Sequence, residues 1–262
     1  MAETQFGIIE ATPSLPARNL LRVPHKGEVL VVSSPAFGPN TYLGNLEEMR
    51  KDYSHSKELP KISFKVPTTT ESISAVAYDF ENLAKLQIFD PRWLQAGRIV
   101  RTLEGVWANP PTDEQGSLIT DERELKTFLD KCTEVKGIRL YQGENHNLRD
   151  FGYAPYETFE TGVQDCDTFA EGGLARLLEH TEEQAAENLR AIASPKHYKK
   201  GVNVCSFGPV GEPVLRVVTL YSNGDIHSTR LVVGGYYRVD DYYGCGCAFG
   251  VLDSAEGSAP KN

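Results

Sequence analysis

Cys166 is the residue whose type and position best suit covalent chemistry, and it lies within the segment QDCDTF (164–169). The pattern predicts that Cys166 occupies the first turn of a helix, where free backbone N–H groups and the helix dipole favour a thiolate. A cysteine hydrolase also needs a histidine that accepts a proton and a group that orients this histidine. His227, early in a predicted strand that follows the helix, is the candidate base, and Asp225 or Asp165 is the candidate orienting group.

A cysteine on a helix followed by a histidine on a strand resembles the papain-like cell-wall peptidases, over a few residues at each of two places. The resemblance implies a hydrolase with Cys166 as nucleophile and His227 as base. The sequence departs from that pattern at Asp165 and Asp167, because carboxylates beside a thiol raise its pKa. The alternative is a structural cysteine at the start of a helix.

The spacing of Asp165 and Asp167 is also similar to the paired aspartates of haloacid-dehalogenase-like phosphatases. In that family the pair follows a buried apolar strand, whereas here it follows Glu160-Thr-Gly-Val-Gln164, which has no such character. Capping of the helix by Asp165 or Asp167 is therefore the preferred interpretation.

An aromatic group near the C-terminal end is the second candidate site. It contains two adjacent pairs of tyrosines beside two aspartates: Tyr236, Tyr237, Tyr242, Tyr243, Asp240 and Asp241. Adjacent residues on a strand point to opposite faces, so one tyrosine of each pair has to face outward. Exposed tyrosines suit sugar stacking or protein contact, and the alternative is cross-strand packing.

Metal and cofactor patterns are incomplete. Cys245 and Cys247 would point the same way on a strand, but a structural zinc site needs four ligands and usually a longer spacing. The six histidines include no pair at i, i+4, and no phosphate-binding loop pattern is present. We therefore expect no metal and no cofactor. His180 is predicted to end a helix and to complement its dipole as a cation.

The charge balance argues against two classes of partner. The chain has 36 acidic and 27 basic residues, a net charge of −9. No cluster of lysine and arginine is large enough for nucleic acid or an anionic membrane surface. Five cysteines and an N-terminus without signal-peptide features predict reduced thiols in a cytoplasmic protein.

The elements that would hold these residues predict an α+β fold. Central helices at about 69–107, 120–132 and 166–193 are expected to pack on mixed or antiparallel strands, with a β-rich C-terminal meander. Thr68 and Glu71 form a capping box before the first helix. Gly172 and Gly173 fall inside the third helix, where each costs about 1 kcal/mol relative to alanine. Residues 146–164 are predicted to be irregular, although Asp150–Tyr153 is typical of a stretch that lines a cleft.

Residues 1–253 are expected to form one domain, with a sub-boundary near 195 before the β-rich part 196–253 as the alternative. The tail 254–262 is predicted to be disordered. Two functions remain open. The first is a soluble, intracellular, non-catalytic binding or assembly protein that uses the aromatic, acidic C-terminal face for a protein partner or for self-association. The second is the cysteine hydrolase. We favour the first, because no complete catalytic set is visible.

Overall fold

The computed structural model of the protein describes residues 7–9, 18–34, 36–51, 53–54, 61–83, 93–143, 150–223, 230–240 and 246–252. The strands in these ranges are β1 (Gly7–Ile9), β2 (Arg18–His25), β3 (Glu28–Ser34), β4 (Phe37–Asn40), β5 (Tyr53–Ser54), β6 (Lys61–Ile62), β7 (Phe64–Lys65), β8 (Leu94–Arg101), β9 (Gly105–Ala108), β10 (Thr133–Val135), β11 (Ile138–Tyr141), β12 (Phe151–Pro155), β13 (Gly162–Gln164), β14 (Val202–Cys205), β15 (Val214–Asn223), β16 (Arg230–Gly234), β17 (Gly246–Ala248) and β18 (Val251–Leu252). The α-helices are α1 (Tyr42–Met49), α2 (Thr69–Tyr78), α3 (Glu122–Lys126), α4 (Cys166–Glu171), α5 (Gly173–Glu179) and α6 (Glu187–Ile192).

Two main sheets organise the strands. The smaller sheet has the order β1-β2-β3-β18-β7, and its pairs are antiparallel. The larger sheet has the order β10-β11-β12-β9-β8-β15-β16-β14-β13, and β17 joins it beside β8. Within the described ranges β14–β16 and β17–β8 are the parallel pairs. The mixed helix and strand content and the mostly antiparallel sheets confirm the coarse fold prediction.

The predicted helix over 69–107 is wrong in its second half. The capping box is present, since the Thr68 hydroxyl accepts the Glu71 N–H and the Glu71 carboxylate accepts the Thr68 N–H. However, α2 ends at Tyr78 in a π-helical turn over 79–83, and residues 94–108 contribute β8 and β9. Most of the residues of these two strands are buried, polar Gln95 included, so apolar and polar residues lack the alternation that identifies a half-buried strand.

The predicted helical region 166–193 is divided into three short helices. Gly172 ends α4 and begins α5 with an extended backbone, so it interrupts the predicted helix. A Cβ at Gly173 would collide with Thr158 Oγ1, so this glycine permits close packing. The predicted helix at 120–132 is also shorter, because α3 ends at Lys126 and a separate 3-10 turn covers 129–131.

Residues 151–155 form β12, which corrects the irregular segment predicted over 146–164. Four consecutive buried residues and a position between β11 and β9 explain why this strand lacks an alternating pattern. The C-terminal strands do not form the predicted meander, because consecutive strands β14 and β15 are not neighbours. Instead β15 pairs with β8 and β16, and β14 lies beyond β16. The predicted disordered tail lies outside the described residues.

Helices α2 and α5 pack on the larger sheet, and their ends meet at one place. Helix α2 packs against α5, α6, β2 and β8, and α5 packs against β9, β11 and β12. This packing places the start of α2, the end of α5 and the tip of the β2–β3 hairpin close together. Among the described helices, none combines the length and hydrophobicity that crossing a bilayer requires.

Candidate functional site

A cleft of about 1080 Å³ opens where the β2–β3 hairpin, the start of α2, the end of β11 and the end of α5 meet. Its ionisable side chains are Arg22, His25, Lys26, Glu28, Lys65, Glu71, Asp150, His180, Glu182 and Glu183. Large concave sites with convergent polar groups are where proteins usually bind small molecules. We call this region the polar cleft.

His180 ends α5 in a Schellman motif. The His180 N–H donates to the Leu177 carbonyl and the Thr181 N–H donates to the Arg176 carbonyl. This motif requires a left-handed backbone, and His180 has φ 51° and ψ 53°. Glycine, and sometimes asparagine, normally occupies this position, because a Cβ makes the conformation unfavourable. A histidine here is therefore a departure from what the local backbone favours.

The His180 ring is 2% exposed and its Nε2 atom has no hydrogen-bond partner. Burial, together with the charge of Lys26, lowers the pKa of His180 to about 4, although Asp150 and the Tyr141 backbone partly oppose the shift. The imidazole is neutral at pH 7, so the prediction that it complements the helix dipole as a cation is wrong. We assign the lone pair of the neutral ring to Nε2, because Nε2 has no hydrogen-bond partner and the Tyr141 backbone acts on the ring as an acceptor.

An ion pair crosses the polar cleft beside this nitrogen. Lys26 Nζ lies 3.1 Å from Asp150 Oδ2, and the same oxygen lies 4.0 Å from His180 Nε2. Burial alone would raise the pKa of Asp150, but the Gly143 N–H bond and the charge of Lys26 help to lower it. Asp150 is therefore an ionised acceptor next to the neutral ring.

The β2–β3 hairpin positions Lys26 and His25. Lys26 and Gly27 have φ of 46° and 82°, the positive values that a two-residue type I′ turn requires. The turn sets His25 opposite Glu28 and directs Lys26 toward Asp150. His25 Nδ1 lies 2.9 Å from the Ser74 hydroxyl on α2, so Nε2 is available to the cleft. Burial lowers the pKa of His25, although Glu71 opposes the shift.

The arrangement can recognise a polar molecule better than it can transfer protons. A base with a pKa of about 4 is weak at neutral pH, whereas a neutral imidazole with a free nitrogen is a good hydrogen-bond acceptor. No group of three or more metal-ligating side chains occurs in the described part of the chain.

Known proteins offer no guide to the ligand. No family model, no curated protein and no solved structure matches this chain. Any assignment of function therefore depends on the site itself.

Cys166 lies at the first position of α4, as predicted, and Asp165 caps the helix by accepting the N–H groups of Asp167 and Thr168. The thiol is half-buried. Burial and the charges of Asp167 and Asp165 raise its pKa, which is the opposite of what a cysteine nucleophile needs. His227 and Asp225 lie outside the described residues, so their meeting with Cys166 stays a prediction. The strand before Asp165 is the short β13, antiparallel to β14 at the end of the sheet.

The predicted aromatic face is described in part. Tyr236 is 63% exposed and meets Tyr237 edge-on at 5.4 Å, while Tyr237 packs on Trp93 at 4.5 Å. Trp93 in turn stacks on Tyr221 at 5.1 Å. We call these four residues the aromatic row. Tyr242 and Tyr243 lie outside the described residues.

The cysteine pair near the C-terminal end is likewise described in part. Cys247 is buried on β17 opposite Leu94 of β8. Cys245 and Asp241 lie outside the described residues. Asp240 forms an exposed ion pair with Arg238 at 3.1 Å.

Sequence reasoning missed the polar cleft. Its members are far apart in the chain: Lys26 and Asp150 are separated by 124 positions. One signal was present, because a histidine stood at a predicted helix end, where a left-handed residue such as glycine is normal. The cleft-like character of Asp150–Tyr153 was the other signal, since Asp150 lines the polar cleft.

Proposed function

We propose that the protein binds a small polar molecule in the polar cleft and that His180 Nε2 accepts a hydrogen bond from it. The observation that carries the proposal is this buried nitrogen without a partner at the cleft wall. Buried polar atoms in native proteins nearly always have partners, and an exception needs an explanation. The left-handed backbone of His180 adds a second local cost, and such costs cluster at ligand sites.

Binding rather than catalysis is the function that the electrostatics favour. The neutral His180 ring and the ionised Asp150 offer acceptors, and the Lys26 amine offers a donor. Each can orient a polar ligand without a change in protonation. A catalytic base at neutral pH would need a pKa closer to 7.

The test is a fragment screen read by NMR on protein carrying ¹³C-labelled histidine. We expect some fragments to shift the His180 ring resonances and to lose at least about tenfold in affinity in His180→Asn, since a lost bond to a buried acceptor is worth about 1.4 kcal/mol or more. Asparagine tolerates the left-handed backbone, so this variant keeps the turn. Tyr236→Ser, which changes the aromatic row, is the matched control and should bind normally. Fragments that bind equally well to His180→Asn would refute the proposal.

A second candidate function is protein binding or assembly through the aromatic row, with Tyr242 and Tyr243 as further expected members. The exposure of the Tyr236 ring supports it, because tyrosine is enriched at the centres of protein interfaces. The packing of Tyr237 on Trp93 would fix the Tyr237 ring before a partner binds, so binding would cost little side-chain entropy.

Sedimentation velocity over a range of protein concentrations tests self-association. We expect the wild-type chain to associate, Tyr236→Ser to associate less, and His180→Asn to behave like the wild type. A strict monomer at millimolar concentration would refute assembly through this face.

A further inference from the structure

The chemical class of the ligand follows from the charges around the polar cleft, given the proposed binding function. Among the described residues, three cationic side chains and five carboxylates line the cleft, an excess of two negative charges. The cations are Arg22, Lys26 and Lys65; the carboxylates are Glu28, Glu71, Asp150, Glu182 and Glu183. A surface with this excess attracts a cation and repels an anion.

Two of the cations are already neutralised by the protein. Lys26 pairs with Asp150 at 3.1 Å, and Lys65 pairs with Glu71 at 3.5 Å. Of the cations in the described lining, these pairs leave Arg22. An anionic ligand would therefore have to break an existing ion pair to gain a second contact.

The acidic excess lies on two sides of the cleft. Glu182 and Glu183 lie two and three positions after His180, and Glu28 faces His25 across the hairpin turn. Within the described part of the chain none of these three glutamates forms an ion pair; Glu182 accepts one hydrogen bond from Gln142. A ligand cation would supply the missing counter-charge.

The hydrogen-bond acceptors of the polar cleft also favour a cationic ligand. We assign a lone pair to His180 Nε2, which is buried and has no hydrogen-bond partner. Asp150 Oδ2 lies 4.0 Å away and can accept only. A ligand that reaches both atoms must present N–H or O–H donors, and an ammonium or guanidinium group combines donors with positive charge.

We infer that the ligand of the polar cleft is a small organic cation with N–H donors, of the alkylamine or guanidine class. Its N–H group donates to His180 Nε2, and its charge is balanced by the glutamates at the cleft mouth. This inference rests on the proposed function. Its test therefore uses ligands of equal length that differ in charge, so that a wrong charge class can be distinguished from a failure to bind.

The experiment titrates histidine-labelled protein with three four-carbon probes: 1,4-diaminobutane, 1,4-butanediol and succinate. We expect the diamine to shift the His180 and His25 ring resonances at concentrations where the diol and succinate do not. Glu182→Gln with Glu183→Gln should weaken diamine binding about tenfold, since each partly screened charge contributes a few-fold. Glu114→Gln, an exposed change outside the cleft lining, is the control and should have no effect.

Each other outcome overturns the inference. Stronger shifts with succinate would assign an anionic ligand, and equal shifts with the diol would show that charge has no part; in both cases the proposed binding function stands. If none of the three probes shifts the histidine ring resonances, the cationic class is also refuted. The fragment screen alone then tests whether the polar cleft binds a ligand. Diamine binding unaffected by the double glutamine variant would place the cation elsewhere.

Discussion

Protonation of His180 should make the protein markedly less stable in mild acid. The pKa of His180 is about 4 in the folded chain, against an ordinary value of 6.5, because the ring is buried. Between these two values the unfolded chain binds a proton that the folded chain does not. Stability from this residue is therefore complete above pH 6.5 and is lost as the pH falls toward 4.

The size of the effect follows from the two pKa values. Their difference corresponds to about 3 kcal/mol in total, and about 2.5 kcal/mol of it falls between pH 7.5 and pH 4.5. This is a large part of the about 5–15 kcal/mol that holds a typical domain folded. The ring is almost fully enclosed, so solvent screening reduces the figure little.

Urea unfolding of the wild-type chain and of His180→Asn at several pH values measures this contribution. His25 and Asp150 also titrate in acid, but both are present in the two proteins, so the difference measures His180 together with its coupling to Asp150. We expect the free energy of unfolding of the wild type to fall by about 2.5 kcal/mol more than that of the variant between pH 7.5 and 4.5. Parallel pH profiles would refute the assignment of a buried, neutral imidazole.

Three further changes test other parts of the structure. Gly97→Ala should destabilise the fold by about 1–3 kcal/mol, because its Cβ would lie 2.5 Å from Thr69 Cγ2, whereas Gly211→Ala has open space and should change the unfolding midpoint little. Glu179→Ala should cost about 1–3 kcal/mol in chemical denaturation, because its carboxylate accepts two backbone N–H groups at the start of α6, and Glu179→Gln should cost less. Iodoacetamide should alkylate Cys166 more slowly than a free cysteine peptide at pH 7, because its pKa is raised; faster alkylation would revive the hydrolase prediction.

The parts of the fold that could be predicted from the sequence have a local cause. Thr68 and Glu71 satisfy each other's backbone N–H groups, so the start of α2 follows from those residues alone. Residues 94–108 could not be predicted in this way, because burial on both faces removes the alternation that identifies a strand, and the remaining apolar positions also fit a helical period. Gly97 is the position in β8 where α2 approaches the sheet closely.

Of the two candidate sites, the one built from adjacent residues could be predicted from the sequence, and the one built from distant residues could not. The aromatic pair Tyr236-Tyr237 is visible as adjacent residues. The strand alternation from which its orientation was predicted is absent, because β16 ends at Gly234; Tyr236 is exposed on the segment that follows this strand. The polar cleft depends on Lys26, Asp150 and His180, which come together only through the packing of a hairpin on a helical layer. The spacing of residues along the sequence cannot predict contacts between such distant positions.

His180 is hard to explain as a structural residue. A left-handed backbone costs about 1–2 kcal/mol for a residue with a Cβ, and a buried polar atom without a partner costs about 1–3 kcal/mol. Glycine would make the same Schellman turn without either cost. A ligand that donates to Nε2 removes the second cost. The thermal unfolding midpoint of the wild type should therefore rise with a fragment or diamine that shifts the His180 resonances, and His180→Asn should show a smaller rise at the same concentration.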